Sequence, residues 1–268
     1  MKINYHIHTV FSDGASNLRD YCEVAIKKGF EEIAFTDHLT VFPDGSTDPH
    51  SLNALRIEEY VREVKSVSVE YRDLLKIRLG VEVDYIPGIE EIIEKILENY
   101  DFDLVIGSVH FVDGVCIDSS KHKMLVEKIV REDGFDFLYS KYLSLVSMAV
   151  ETGFFNIIGH MDLVRIWGFN PNDGLRDEQK VLGLAKEKRT CLEVSSRGLR
   201  QPINSVYPSP RILKRAYELG IPITIGTDAH SIEEIDYAYD VLVRYIKAIG
   251  YSHVIVFEKR IPSEKKIE

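Results

Sequence analysis

The chain has 268 residues, 45% hydrophobic and 28% charged, enough to bury a large core beneath a charged surface. That length suits one (β/α) barrel of about 250 residues. A formal net charge of −10 argues against wholesale nucleic-acid binding, which needs a basic face, but still allows a small anionic substrate at a metal site.

Strand-like and helix-like segments alternate from the start. KINYHIH (2–8) is β-rich and precedes a helix expected over 17–28, closed by Gly29. EEIAFTDH (31–38) reads as the second strand. A loop with Pro43, Gly45 and Pro49 follows, then an amphipathic helix over 52–74. IRLGVEVD (77–84) is the third strand, and Pro87 opens the next helix, which runs to about 99. DLVIGSVH (103–110) is the fourth, with the strongest later helical period over 137–151. FNIIGH (155–160) and CLEVSS (191–196) are the fifth and sixth strands, separated by a helix near 177–188. A helix over 209–219 enters on Pro and exits on Gly220, ITIGTDAH (223–230) is the seventh strand, and a helix over 232–249 follows. HVIVFE (253–258) reads as a further short strand, and the tail EKRIPSEKKIE as frayed or docked by one short strand.

Repeated β-then-α units with near-continuous apolar strands imply a parallel sheet covered by helices. About seven units fit a closed or nearly closed TIM-like barrel, one domain over 1–268. His8, His38, Glu82, His110, His160, Asp228 and His230 all fall at C-terminal strand ends, the rim where (β/α) barrels build their sites. An open sheet would gather such residues mainly at one switch point.

His6 and His8 stand one residue apart, as do Asp228 and His230. In a strand, residues i and i+2 share a face, so each pair presents two metal-binding side chains to one side. Burying so many titratable groups unpaired would cost several kcal/mol each, and coordination removes that cost. Imidazoles with carboxylates suit divalent Zn, Mn or Fe. His50 is a candidate for lining a substrate pocket, whereas His122 and His253 read as solvent-facing. Cys22, Cys116 and Cys191, scattered and odd in number, read as reduced, buried packing residues, which implies a cytoplasmic setting. No apolar run approaches the roughly 18 residues of a membrane span, so no membrane partner is expected.

HIHTVFSDG (6–14), FTDH (35–38), the glutamate of GVEVD, GSVHF (107–111), GHMDL (159–163) and GTDAH (226–230) resemble the motifs of the polymerase-and-histidinol-phosphatase (PHP) family, over essentially the whole chain. GLRQP (198–202) and VYPSPRIL (206–213) resemble its histidinol-phosphate phosphatase branch. That resemblance implies a distorted (β/α)7 barrel with three divalent ions: one on His6, His8, Glu82 and Asp228; a second on Glu82, His110 and His160; a third on Asp13, His38 and His230. Many relatives carry histidine where this chain has Asp13, so the third site is expected either to prefer a harder metal or to bind more weakly.

The implied reaction is hydrolysis of a small phosphate monoester, L-histidinol phosphate, by a metal-bridging hydroxide, a step of histidine biosynthesis. Asp228 and His230 are the candidates for proton relay, and Arg165, Arg197 and Arg200 for gripping phosphate oxygens. An acidic residue of the 39–52 loop, Asp44 or Asp48, would meet the substrate ammonium. Three readings compete: a PHP phosphoesterase acting on nucleotides or short oligonucleotides, a polymerase-associated PHP module, and an amidohydrolase-type barrel, for which no strand-end lysine is found. Oligomeric state is open.

Overall fold

The structure, a computed structural model, describes residues 1–267. Its elements follow the order β1 (Ile3–Asn4), α1 (Leu18–Lys27), β2 (Glu32–Phe35), β3 (His38–Leu39), α2 (Ala54–Glu70), β4 (Lys76–Asp84), α3 (Glu90–Asn99) and β5 (Leu104–Ser108). Then come β6 (Phe111–Val112), β7 (Val115–Cys116), α4 (Lys123–Asp133), α5 (Phe135–Thr152), β8 (Ile157–Ile158), α6 (Leu175–Lys188), β9 (Cys191–Ser195) and α7 (Pro210–Glu218). The chain finishes with β10 (Ile223–Gly226), α8 (Tyr239–Ile249), β11 (His253–Glu258) and β12 (Ile261–Lys266).

The main sheet runs β1-β2-β4-β5-β8-β9-β10, all parallel, with β3 also pairing β4. β5, β9 and β10 are buried at every position, as strands covered on both faces must be. The sheet curls until its ends meet: Tyr5 N donates to Ile225 O at 2.9 Å, His8 N to Ala229 O at 2.8 Å and Ala229 N to His6 O at 3.2 Å. This is the expected distorted (β/α)7 barrel.

Local chemistry sets the helix ends. The Asn17 side chain caps α1 by accepting from Asp20 N, and Gly29 beyond its end takes the left-handed φ of 76°. Asn53 caps α2 by accepting from Leu55 N and Arg56 N, so that helix starts two residues later than the pattern suggests. At the end where strands begin, the β11–β12 hairpin packs across the barrel. Phe257 N donates to Tyr5 Oη at 3.1 Å, and Tyr5 Oη donates to Glu32 Oε1 at 2.5 Å. Arg78 then joins Glu32 at 2.7 Å to Glu258 at 3.1 Å.

The structure corrects several sequence expectations. Segment 31–38 is not one strand: the chain breaks at Thr36 and Asp37, because Thr36 Oγ1 accepts from Ile7 N and the Asp37 carboxylate accepts from Thr9 and Ser12. The helix after the seventh strand begins at Tyr239, preceded by a short 3-10 turn at Ile232–Glu234. There the Asn4 amide donates to the Ile235 carbonyl, and Ala238 adopts φ 50°, so the helix cannot run through. Pro87 lies in a turn with Gly88, at φ 96°, rather than opening α3, which starts at Glu90. The tail takes the second of its two expected forms: it is docked by one short strand, β12, which matches β11 residue for residue along six positions. Among the described residues, no helix is long and apolar enough to cross a membrane.

Candidate metal centre

Glu82 is the hub of the strand-end cluster. Its position on β4 points the carboxylate inward, where Ser108 Oγ donates to Oε1 at 2.5 Å and His160 Nε2 lies 2.9 Å from the same oxygen. Oε2 lies 2.9 Å from His38 Nδ1, 3.3 Å from His6 Nε2 and 3.4 Å from His8 Nε2. Asp228 Oδ1 faces the same imidazoles, 3.1 Å from His8 Nε2 and 3.8 Å from His6 Nε2. Further out, Asp13 Oδ2 lies 3.3 Å from His230 Nε2, and Asp13 Oδ1 lies 3.7 Å from His38 Nε2.

Donor atoms fall into four mutually close sets: His8, Asp13, His38 and His230; His6, His8 and Asp228; His6, Glu82 and His160; His38, Asp84 and His110. All nine residues expected as ligands are therefore brought together. The grouping differs from the expected one: Glu82 gathers with His6 and His160 and not with His8 and Asp228, His8 also joins the Asp13 set, and His110 gathers with His38 and Asp84, whose Oδ1 lies 2.5 Å from its Nδ1. His160 and Asp228 sit at left-handed φ values of 21° and 52°, strained conformations that turn their side chains inward.

These residues fit a cation. His6 Nε2, His8 Nε2, Glu82 Oε2, His110 Nε2 and Asp228 Oδ1 are buried yet make no hydrogen bond within the protein. Buried polar atoms are otherwise almost always satisfied, so orphans of this kind, converging from separate strands, mark a ligand position.

The protein's own charges are strongly coupled here. Burial disfavours a charged Glu82, but His6 and His38 outweigh it and hold the carboxyl well below its usual range. Asp228 is likewise held low, against burial, by Arg197 and then His6. Burial would lower His38 too, yet Glu82 and Asp13 raise it to about 10, while Asp84 and Asp118 raise His110 to about 9. His8, buried and beside His38 and His230, is lowered to about 3.

A cavity of about 540 Å³ opens onto this cluster, with Asp48, His50, Phe111, Asp118, His122, Arg197 and Arg200 in its wall. His50 thus lies where expected. His122 does not face plain solvent, since it lines the cavity and its Nδ1 accepts from Cys116 N at 2.9 Å. Cys116 is only half-buried and shares that wall, unlike the buried Cys22 and Cys191. Asp44 stays outside the cavity wall, exposed and bonded to Ser46.

Of the three arginines expected at the substrate, Arg197 and Arg200 line the cavity and Arg165 does not. Arg165 does not reach the cavity: it is buried, donates to Asp162 Oδ2 at 2.7 Å, and gives Nε and Nη2 to Asn170. A guanidinium so engaged holds the 162–170 segment instead of a substrate. Arg197 spans Asp228 Oδ2 at 2.5 Å and Asp118 Oδ2 at 3.0 Å. Arg200 donates to the carbonyls of Thr227 at 2.9 Å and Asp228 at 2.6 Å and pairs with Glu234, bracing the loop that carries the DxH pair.

Asp84 and Asp118 are functional-site residues that motif reading passed over. Asp84 was signalled, being two residues from Glu82 on the same strand face. Asp118 lies in a loop and gave no periodic signal.

The sequence matches the PHP domain family over residues 4–197. It is 31% identical over 256 residues to a probable histidinol-phosphatase of Deinococcus radiodurans, covering 95% of this chain and 96% of that one. It is 32% identical over 258 residues to the histidinol-phosphatase of Bacillus subtilis, covering 88% and 96%. Among solved structures, the histidinol phosphate phosphatase of Lactococcus lactis, complexed with zinc, L-histidinol and phosphate, aligns with a TM-score of 0.77 at 26% identity, covering 98% of each chain. With its ordered strand-end motifs gathered at one barrel rim, the chain belongs to the PHP domain family.

Proposed function

We propose that this protein hydrolyses L-histidinol phosphate to L-histidinol and phosphate, a step of histidine biosynthesis, at a divalent-cation centre on the barrel rim. The observation that carries the reading is the set of unpartnered buried donors facing the cavity, in a chain whose Lactococcus lactis neighbour holds zinc, L-histidinol and phosphate. The ligands assigned are His6, His8, Asp13, His38, Glu82, His110, His160, Asp228 and His230. Four donor sets that share His6, His8 and His38 are compatible with the three ions that the family resemblance implies. Nitrogen and oxygen donors without thiolate suit zinc first, with manganese or iron compatible.

Divalent cations bound there would polarise a phosphoryl oxygen and acidify water. The protein's residues do the rest. Glu82 sits between the inner imidazoles and holds them around one point. Asp228 is the residue assigned to proton movement: Arg197 fixes its Oδ2, leaving Oδ1 facing inward without a hydrogen bond. His230 cannot both ligate and relay, since its Nδ1 is spent on the Asp228 carbonyl at 3.0 Å and only Nε2 faces Asp13. It is therefore assigned as a ligand. Asp48, in the cavity wall, is the acidic loop residue placed for the substrate ammonium. Free Cys22, Cys116 and Cys191 agree with a reducing, cytoplasmic setting.

A panel of phosphate monoesters tests the assignment. L-Histidinol phosphate should exceed nucleotides in kcat/KM by more than tenfold, roughly 1.4 kcal/mol of transition-state discrimination. A smaller preference removes the specific substrate.

A further inference from the structure

Glu193 lies in the middle of β9 with its carboxylate inside the barrel, 1% exposed. One oxygen, Oε1, lies 2.8 Å from His6 Nδ1, and the other, Oε2, accepts from the backbone N–H of His160 at 2.8 Å. A single side chain thus reaches two ligand residues carried by different strands. Space has been cleared for it: a Cβ on Gly226 would fall 2.1 Å from Glu193 Oε1, so the glycine of GTDAH admits the carboxylate by having no side chain. His160 needs the second bond, because its φ of 21° is a conformation that persists only when neighbours enforce it. A charged residue in the centre of a buried strand is costly unless both oxygens are used, and here both are.

We propose that Glu193 is a positioning residue that sets the tautomer of His6 and the backbone of His160. A neutral imidazole carries its proton on one nitrogen and offers the other as a ligand, and the partner of the first decides which is which. With Glu193 accepting from Nδ1–H, Nε2 is the nitrogen left to face Glu82 Oε2 at 3.3 Å and Asp228 Oδ1 at 3.8 Å, with no hydrogen bond of its own, and it is the nitrogen that gives up its proton to a cation. A glutamine at 193 has one acceptor and one donor end, so it cannot serve both partners. Oxygen toward His6 sets its NH2 against the His160 N–H. Turned over, it donates to Nδ1 and drives the imidazole proton to Nε2, the nitrogen that faces the cation.

The inference rests on the cation-centre reading, and the experiment separates the two. Zinc affinity of Glu193→Gln is measured by competition with a chromogenic chelator, alongside thermal unfolding of the chelated protein. The expected result is a 10- to 100-fold weaker zinc affinity with little change in the chelated protein's midpoint. Wild-type affinity in a folded variant overturns the role of Glu193 alone, whereas wild-type protein that binds no zinc removes the cation centre itself. Should the variant fail to fold, long-range 1H–15N spectra of zinc-loaded, 15N-histidine-labelled wild-type protein decide. A protonated Nδ1 on His6 with Nε2 shifted by zinc supports the assignment, and a bare Nδ1 refutes it.

Discussion

Arg197 donates through Nη1 to Asp228 Oδ2 at 2.5 Å, so this guanidinium in the cavity wall orients a carboxylate of the site. Its other arm reaches Asp118, and the side chain is only 12% exposed. Arg197→Lys keeps a charge but loses the fork that spans two carboxylates. We expect kcat to fall by about tenfold or more, the weight of one weakened charge-assisted bond of ~1.5–3 kcal/mol, with KM changing less than kcat. Steady-state kinetics check this; a rise in KM alone would return Arg197 to direct substrate binding.

Arg165 provides the contrast. Its partners, Asp162 and Asn170, lie away from the cavity wall, so Arg165→Met should leave KM unaltered. Stability should drop by about 3 kcal/mol, because the buried Asp162 loses its opposite charge. Denaturant unfolding with parallel kinetics measures both; an unaltered midpoint with a raised KM would contradict the placement.

Glu82→Gln should be the most damaging conservative change. It removes the charge that faces His6, His8, His38 and His160 together. Activity should fall by more than about a hundredfold, beyond what loss of an outer orienting partner brings, and bound zinc by elemental analysis should fall below the wild-type content.

Proton linkage follows from the imidazoles. His6 is raised well above its ordinary range, as Glu193, Glu82 and Asp228 outweigh burial, while His38 stands at about 10 and His110 at about 9. At pH 7 these rings are protonated in the chelated protein, and a cation must displace those protons. Calorimetry in two buffers of different ionisation enthalpy should show proton release on zinc binding, with affinity rising between pH 7 and 9. Folded-state values above the unfolded value mean that the chelated protein has their stabilisation in full below about pH 6.5. That contribution is lost as pH rises through 9 to 10, so its melting temperature should fall there. Absence of proton release would contradict these ionisation states.

Much of the fold was legible because strands buried on both faces read as apolar runs and Gly or Asn marks the helix ends, as at Gly29 and Asn17. The ligand cluster was legible too, since i, i+2 spacing survives any detail of barrel closure. The partners the arginines find within the protein were not. A guanidinium's partner is set by tertiary distance, and nothing in GLRQP says that Arg200 will turn back onto the Thr227 and Asp228 carbonyls. The break at Asp37 was hidden for a similar reason, its carboxylate being recruited by Thr9 and Ser12 from another strand's loop. Glu193 left a readable trace as a lone charge within CLEVSS, but its two partners lie 187 and 33 residues away.

Phosphate release from L-histidinol phosphate, followed through exhaustive chelation and zinc restoration, tests the central claim most directly. Turnover should vanish with the cations and return when zinc is added back. Undiminished turnover by protein shown to hold no metal would mean that the donors converging on Glu82 are not the catalytic centre.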